Sequence, residues 1–544
     1  GSIIQDVLNL PTNLPCPKID NWGKFKNILL AVQYLISNNF ILSGHDRSDG
    51  GLITTLVEMS ISSHCGLKLN IDLNKIDFDF KNNFFVRNGL DFKTDIDYLS
   101  YFFNEELGLV FEIQDEYLNE FMESINYYCP CYLIGRTMSQ RLFELTYSNN
   151  LLIRTKVVDL WNIWEETSFR LEEKQCNIKC VNDEKNGILL RMKPCFNISN
   201  KLLNLINELE ISNSEINSSL LLSNSSVFSS SSSESSLLPP INVKILDKSQ
   251  SLSTIEDSIN FNSIILKSIK IGIVREEGSN GDKEMSAAFI LAGFDVFDIT
   301  MNDIIESKGK LINNFNGLAF VGGFSFSDVM GSSVGWSASI LFNDDVNYEF
   351  NKFYNDESKF SLGVCNGCQL MSLIGFIPKV RLIKNKSERF ESRCVQLKIY
   401  KNSNNIFLKD MEDTIFNMWS AHGEGQFVFC DDNLHDNVRT NGLNKDYLNM
   451  NSKKTKDNLF PIRYVNDMGN FTEEYPFNPN GSIGGVAAVS SYNCRHLAIM
   501  PHPERCFLKW QLPYIPEEYN NNLNYFTPWM YLFVNAYKFC NKNN

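Results

Sequence analysis

The residue with the clearest chemical potential is a cysteine. The run Phe360-Ser361-Leu362-Gly363-Val364-Cys365-Asn366-Gly367-Cys368-Gln369-Leu370-Met371 passes from a strand pattern through a tight turn into an apolar helical pattern. Its centre is Gly-x-Cys-x-Gly, the cysteine counterpart of the Gly-x-Ser-x-Gly elbow, in which glycines relieve crowding while a strained residue projects from a strand end. Cys365 is therefore a candidate nucleophile. A helix starting just beyond it would favour the thiolate and present the Asn366 backbone N–H to an oxyanion. An isolated cysteine is otherwise most often a small buried hydrophobe. Cys365 and Cys368 also form Cys-x-x-Cys, a redox or half-zinc spacing, but no second pair of matching spacing accompanies it.

A thiol nucleophile needs a base, and the chain has only 6 histidines, of which His422, His435, His496 and His502 lie in the same region. His502 is the best placed. Leu497-Ala498-Ile499-Met500 reads as a strand and Pro501-His502-Pro503-Glu504 follows at its carboxyl end, where open α/β sheets gather their ligands. Glu504 would orient the imidazole and stabilise its charge, completing a Cys-His-carboxylate arrangement for acyl transfer. A His-Pro-Glu string alone also reads as a polar turn. A second oxyanion donor is expected from Gly323 in Val321-Gly322-Gly323-Phe324-Ser325, whose glycines permit close backbone approach; an ordinary tight loop is the alternative.

These residues need a scaffold. After Pro240 short apolar strands alternate with helical patterns: Ile271–Val274, a helix carrying Met285, Ala288, Phe289 and Ala292, then Phe294–Ile299 and Gly317–Val321. That rhythm implies a doubly wound α/β domain around a parallel sheet, assigned to residues 266–544. In residues 1–165, Phe25, Ile28, Leu29, Val32, Leu35 and Ile36 repeat at helical spacing, and the polar turn His45–Gly51 precedes a second helical pattern with Leu52, Leu56 and Met59. Leu109–Ile113 reads as a strand, making this segment α+β. Residues 166–265 form a linker whose serine- and asparagine-rich stretch, Ser212 to Pro240, cannot bury enough apolar surface to offset its ordering entropy. A phosphorylatable tract is the other reading of those serines.

At 544 residues, 43% hydrophobic and 21% charged, the chain has the composition of a multidomain globular protein. Its 50 basic and 64 acidic residues give a formal net charge of -14, which argues against nucleic-acid binding by counterion release. Neither an apolar run long enough for a membrane span nor a signal-peptide pattern is evident, and the 14 scattered cysteines fit free thiols in a reducing compartment, so a cytoplasmic protein without membrane attachment is expected.

Together the motifs resemble the C-terminal part of the large single-chain phosphoribosylformylglycinamidine synthases, glutamine-dependent amidotransferases of purine synthesis. The resemblance rests on Arg275-Glu276-Glu277-Gly278-Ser279-Asn280, Gly322-Gly323-Phe324-Ser325, Gly363–Gln369, Arg389-Phe390-Glu391-Ser392-Arg393, Ser420-Ala421-His422-Gly423-Glu424-Gly425, Asn478-Pro479-Asn480-Gly481-Ser482 and Met500–Arg505. It extends to the first segment through His45–Leu52 and Phe103-Asn104-Glu105-Glu106-Leu107-Gly108. It implies a class I glutaminase in which Cys365 is the nucleophile, His502 the base and Glu504 its partner, with no cofactor for that step. Ammonia would travel to a synthetase site that uses ATP to convert formylglycinamide ribonucleotide to the amidine. The first segment resembles the C-terminal half of the second aminoimidazole-ribonucleotide-synthetase-like repeat, which implies Asp46 as a magnesium ligand and Ser48 as a nucleotide contact at an auxiliary site. Magnesium suits carboxylate and phosphate oxygens.

The tract between Lys201 and Pro240 departs from the family as an insertion or expanded linker, and the catalytic ATP and ribonucleotide sites of the family lie upstream of Gly1. With no initiator methionine, the chain reads as a C-terminal fragment. A cysteine hydrolase of the same fold and a catalytically silent, binding-only fragment are the alternatives.

Overall fold

The computed structural model describes residues 2–9, 19, 21–71, 101–126, 128–147, 150–209, 268–378, 380–401, 403–429 and 459–542. The Ser212–Pro240 tract and His435 lie outside them. The chain divides into two units, Gly1–Leu171 and Glu172–Asn544.

The first unit contains β1 (Ile41–Asp46), β2 (Gly66–Ile71), β3 (Leu109–Ile113), β4 (Gly135–Met138), β5 (Leu142–Tyr147) and β6 (Asn150–Lys156). β1 and β3 form an antiparallel pair, and the others a sheet in the order β4-β2-β5-β6, with β2 and β5 parallel. The helix Gly51–Ser63 lays Leu52 and Leu56, one turn apart, onto Leu67, Leu69, Phe143 and Leu145 of this sheet. A second small core joins Val32 and Leu35 of helix Trp22–Ser37 to Phe121 and Ile125 of helix Leu118–Asn126.

The turn after β1 is knitted to the segment that leads into β3. Arg47 Nε donates to the Glu106 carbonyl at 2.6 Å, the Arg47 N–H to the Gly108 carbonyl at 2.8 Å, and the Gly50 N–H to the Glu105 carboxylate at 3.0 Å. Gly51 has φ +72°, and a Cβ there would lie 2.6 Å from the Phe103 backbone. Only glycine fits this crossing.

The second unit is built on β7 (Lys270–Arg275), β8 (Asp295–Thr300), β9 (Gly317–Phe320), β10 (Phe360–Val364), β11 (Val380–Ile383), β12 (Glu391–Ile399), β13 (Ile415–His422), β14 (Gln426–Phe429), β15 (Ile462–Tyr464), β16 (Val486–Ser490) and β17 (His496–Ile499). β11 and β14 pair separately; the other nine form one sheet in the order β13-β12-β15-β16-β17-β10-β9-β7-β8. From β17 to β8 all neighbours are parallel. From β13 to β17 they are antiparallel, so the expected parallel sheet is only half of the observed one. β10 is buried at every residue, as a strand covered on both faces must be, and so is β16 of the antiparallel half, whereas β12 alternates along most of its length.

Two further segments complete this core. Ile198, Leu202 and Ile206, spaced four apart, are buried in it, and Asn197 bridges to Ile415, so part of the stretch assigned to the linker packs with the second unit. At the other end, helix Met530–Lys542 buries Met530, Leu532, Phe533 and Ala536 completely, with Phe533 edge-on to Phe289 at 5.0 Å. Among the described residues no helix is long and apolar enough to cross a membrane.

Candidate active site

Cys365 stands at the carboxyl end of β10, one residue before helix Asn366–Leu373. Its backbone has φ 54° and ψ -106°, a combination costly for a side-chain-bearing residue. The surroundings hold it there. The Cys365 N–H donates to the Ile499 carbonyl at 2.9 Å and the Cys365 carbonyl accepts from the Gln369 N–H at 3.1 Å. Both flanking glycines are sterically required: a Cβ on Gly363 would lie 2.5 Å from the Gly367 carbonyl oxygen, and one on Gly367 would run into the Phe320 carbonyl of β9. The turn thus projects a strained, 7% exposed thiol from the centre of the sheet.

His502 follows β17, the parallel neighbour of β10, so its side chain reaches the same sheet end. Its N–H is anchored to the Trp419 carbonyl at 2.8 Å. Glu504, fully buried, meets His502 Nδ1 through Oε1 at 2.6 Å. That bond leaves Nε2 for the thiol; Nε2 is buried and has no well-formed hydrogen bond among the described residues. Burial pulls the imidazole down, but attraction to the Glu504 carboxylate and contact with the Cys365 sulfur more than offset it, raising His502 to about 9.

A cavity of about 340 Å³ opens over this pair, within the range of small-molecule sites. Cys365, His502, Gly323 and Gln369 line it together with Asn280, Arg505 and the loops around Lys384–Phe390 and Ala421–Glu424. Gly323, with φ +124°, comes from the end of β9, and a Cβ on it would collide with the Asn280 N–H at 2.5 Å. Asn366 is the first residue of its helix, where a backbone N–H has no acceptor within the helix. Its buried side chain links the surrounding loops, with Oδ1 accepting from the Ser325 N–H at 3.4 Å and Nδ2 donating to Gln369 Oε1 at 3.0 Å. Gln369 Nε2 in turn donates to the Glu424 carbonyl at 2.7 Å.

Sequence reasoning gave His422 no role, although it sits in one of the singled-out strings. It is buried beside the pair, with Ser420 Oγ 2.7 Å from Nε2 and Asn385 Oδ1 3.3 Å from Nδ1. Burial and the neighbouring charge of His502 push it down to about 3, so at neutral pH it is uncharged beside a charged His502. Cys368 points into the core, where burial pushes its thiol well up and removes it from the chemistry.

The other two predicted residues belong to the first unit. Asp46 ends β1 with a 71% exposed carboxylate, and the Ser48 carbonyl accepts from the Gly51 N–H at 3.0 Å. Among the described residues no group of three or more His, Cys, Asp or Glu could hold a metal ion. A single exposed carboxylate still suits an ion that keeps water and phosphate ligands, as magnesium does.

A buried Cys-His-Glu set at the carboxyl ends of parallel strands has the nucleophile–base–carboxylate layout of acyl-transfer sites, and residues 268–540 match the CobB/CobQ-like glutamine amidotransferase domain; the chain belongs to that family. Residues 24–148 match the C-terminal domain of AIR synthase related proteins. Over its whole length the chain is similar to phosphoribosylformylglycinamidine synthases: it is 37% identical to that of Dictyostelium discoideum across 100% of this chain and 36% of the relative. It is 32% identical to the Homo sapiens synthase, across 96% of this chain and 34% of the relative. With the Drosophila melanogaster synthase the identity is 33%, across 94% and 33%. The chain thus spans about a third of the length of these curated relatives.

Proposed function

We propose that the second unit hydrolyses glutamine to glutamate and ammonia, with Cys365 as nucleophile, His502 as proton carrier and Glu504 as its orienting partner. The observation that carries this reading is the strained Cys365 thiol facing an imidazole that a buried carboxylate grips at 2.6 Å. Cys365 attacks the side-chain amide carbon as the thiolate, its proton carried by His502. Negative charge develops on the amide oxygen, which the Asn366 and Gly323 N–H groups would receive. The C–N bond breaks as His502 gives its proton to the leaving nitrogen, releasing ammonia and a glutamyl thioester. Neutral His502 then takes a proton from water, hydroxide adds to the thioester, and glutamate leaves with the thiolate–imidazolium pair restored.

In the context of the longer relatives, the ammonia would serve the ATP-dependent conversion of formylglycinamide ribonucleotide to formylglycinamidine ribonucleotide, with both sites mostly in regions this chain does not span. In the first unit Asp46 would hold magnesium and Ser48 a nucleotide at an auxiliary site; the ion would neutralise phosphate charge and takes no part in glutamine hydrolysis. A cytoplasmic setting belongs to the same proposal. The test is ammonia release from glutamine, asparagine and peptides, with and without Cys365→Ala. Cys365-dependent release from glutamine alone is expected; peptide cleavage would make the protein a cysteine hydrolase instead.

A further inference from the structure

The lip of the pocket is the loop between β11 and β12, which contributes Lys384, Glu388, Arg389 and Phe390 to the lining. On its inner side Asn385 fastens it to the neighbouring wall: Nδ2 donates to the His422 carbonyl at 2.7 Å and Oδ1 accepts from the Gly425 N–H at 2.9 Å. On its outer side it is held by residues 172–187 of the same unit. The Arg389 guanidinium pairs with Glu172 through Nη1 and with Glu391 through Nε at 3.4 Å. Just past the end of helix Val157–Gln175, the Asn177 N–H donates to the Ser387 carbonyl at 2.9 Å. Beyond the loop, Arg393 joins Glu184 at 2.9 Å and Glu391 at 2.8 Å, while the Tyr475 hydroxyl donates to Glu391 at 3.0 Å.

Glu391 is fully buried, so the network centred on it is not a solvated surface pairing. Glu172 and Arg389 are themselves only 25% and 28% exposed. Glu172 does not line the pocket, yet it grips a cation that does.

Resting on the glutaminase reading, we propose that Glu172–Gly187 is an external brace for the glutamine pocket, with Glu172 acting as a positioning residue through Arg389. Glu172 then sets substrate binding and leaves the Cys365–His502–Glu504 chemistry untouched.

The experiment uses the full chain and compares Glu172→Ala, Arg389→Ala, the double variant and, as a control on the helix Val157–Gln175 that carries Glu172, Glu166→Ala, which removes an exposed pair with Arg170. Glu172→Ala is expected to raise KM for glutamine about tenfold with kcat within twofold, the signature of lost uniform binding. In the Arg389→Ala background it should add nothing, because the two residues act as one unit. Glu166→Ala should leave both constants unchanged. An unchanged KM in Glu172→Ala, a parallel fall in kcat, or multiplicative effects in the double variant would overturn the proposal. Alkylation of Cys365 provides a readout that needs no turnover. The ratio of iodoacetate to iodoacetamide rates, which senses the Arg389 charge, should change threefold or more in Glu172→Ala and not in Glu166→Ala. A wild-type chain that is inert toward glutamine would count against the glutaminase reading, whereas an unchanged alkylation ratio would count against the brace.

Discussion

Cys365 and His502 work as a pair because each is held by something else. The thiol is fixed by a backbone conformation that only a crowded, glycine-flanked turn maintains, and the imidazole by a carboxylate with almost no solvent to screen it. Raised to about 9, His502 stays protonated through neutral pH and loses its proton as the pH climbs through that value. Glutamine turnover should therefore fall on the alkaline side near pH 9. Glu504→Gln removes the attraction and leaves the burial, so the alkaline limb of the kcat/KM profile should move down into or below the ordinary histidine range, with an activity loss of about tenfold or more at pH 8. A profile unmoved by that substitution would mean that the carboxylate does not set the charge of His502. The neutral neighbour His422 has a different task, closing hydrogen bonds to Ser420 and Asn385 that keep the pocket wall in place.

At the scale of elements, the turn between β10 and its helix depends on the close approach of Gly367 to β9. Gly367→Ala should push that helix off the strand and destabilise the second unit by about 1–3 kcal/mol or more, measurable by denaturant unfolding. Such local features are legible in a sequence: Gly-x-Cys-x-Gly marks the elbow, and an apolar tetrapeptide followed by Pro-His-Pro-Glu marks a strand end bearing a base. The antiparallel half of the sheet was not legible as part of the same sheet, because it is closed by the pairing of β12 with β15, from which β13 and β14 separate it in the chain, and pairing of that kind leaves no local trace. The same holds for Ile198, Leu202 and Ile206, whose apolar stripe is short and lies beside a compositionally loud serine tract. The first unit shows a related limit. His45–Leu52 and Phe103–Gly108 were each noticeable as strings, but that Arg47 and Glu105 tie them together is a fact of three dimensions.

For the molecule as a whole, each unit has its own core, and the second depends on both ends of its chain segment. Helix Met530–Lys542 covers the parallel strands with four fully buried side chains, and the indole of Trp529 donates to the Asn417 carbonyl at 2.6 Å. Deleting residues 530–542 should expose that core and abolish cooperative unfolding of the second unit in calorimetry; an unchanged transition would show that the helix is dispensable. Nucleophile and base emerge at the carboxyl ends of adjacent parallel strands, Cys365 from β10 and His502 from β17, and it is β17 that joins the parallel half of the sheet to the antiparallel half. The most direct test of the account is ammonia release from glutamine by the full chain and by Cys365→Ala, with mass spectrometry of acid-quenched protein to locate any glutamyl adduct. The account expects release that disappears in the variant and a thioester on Cys365; release that survives in Cys365→Ala, or an adduct on another residue, would contradict it.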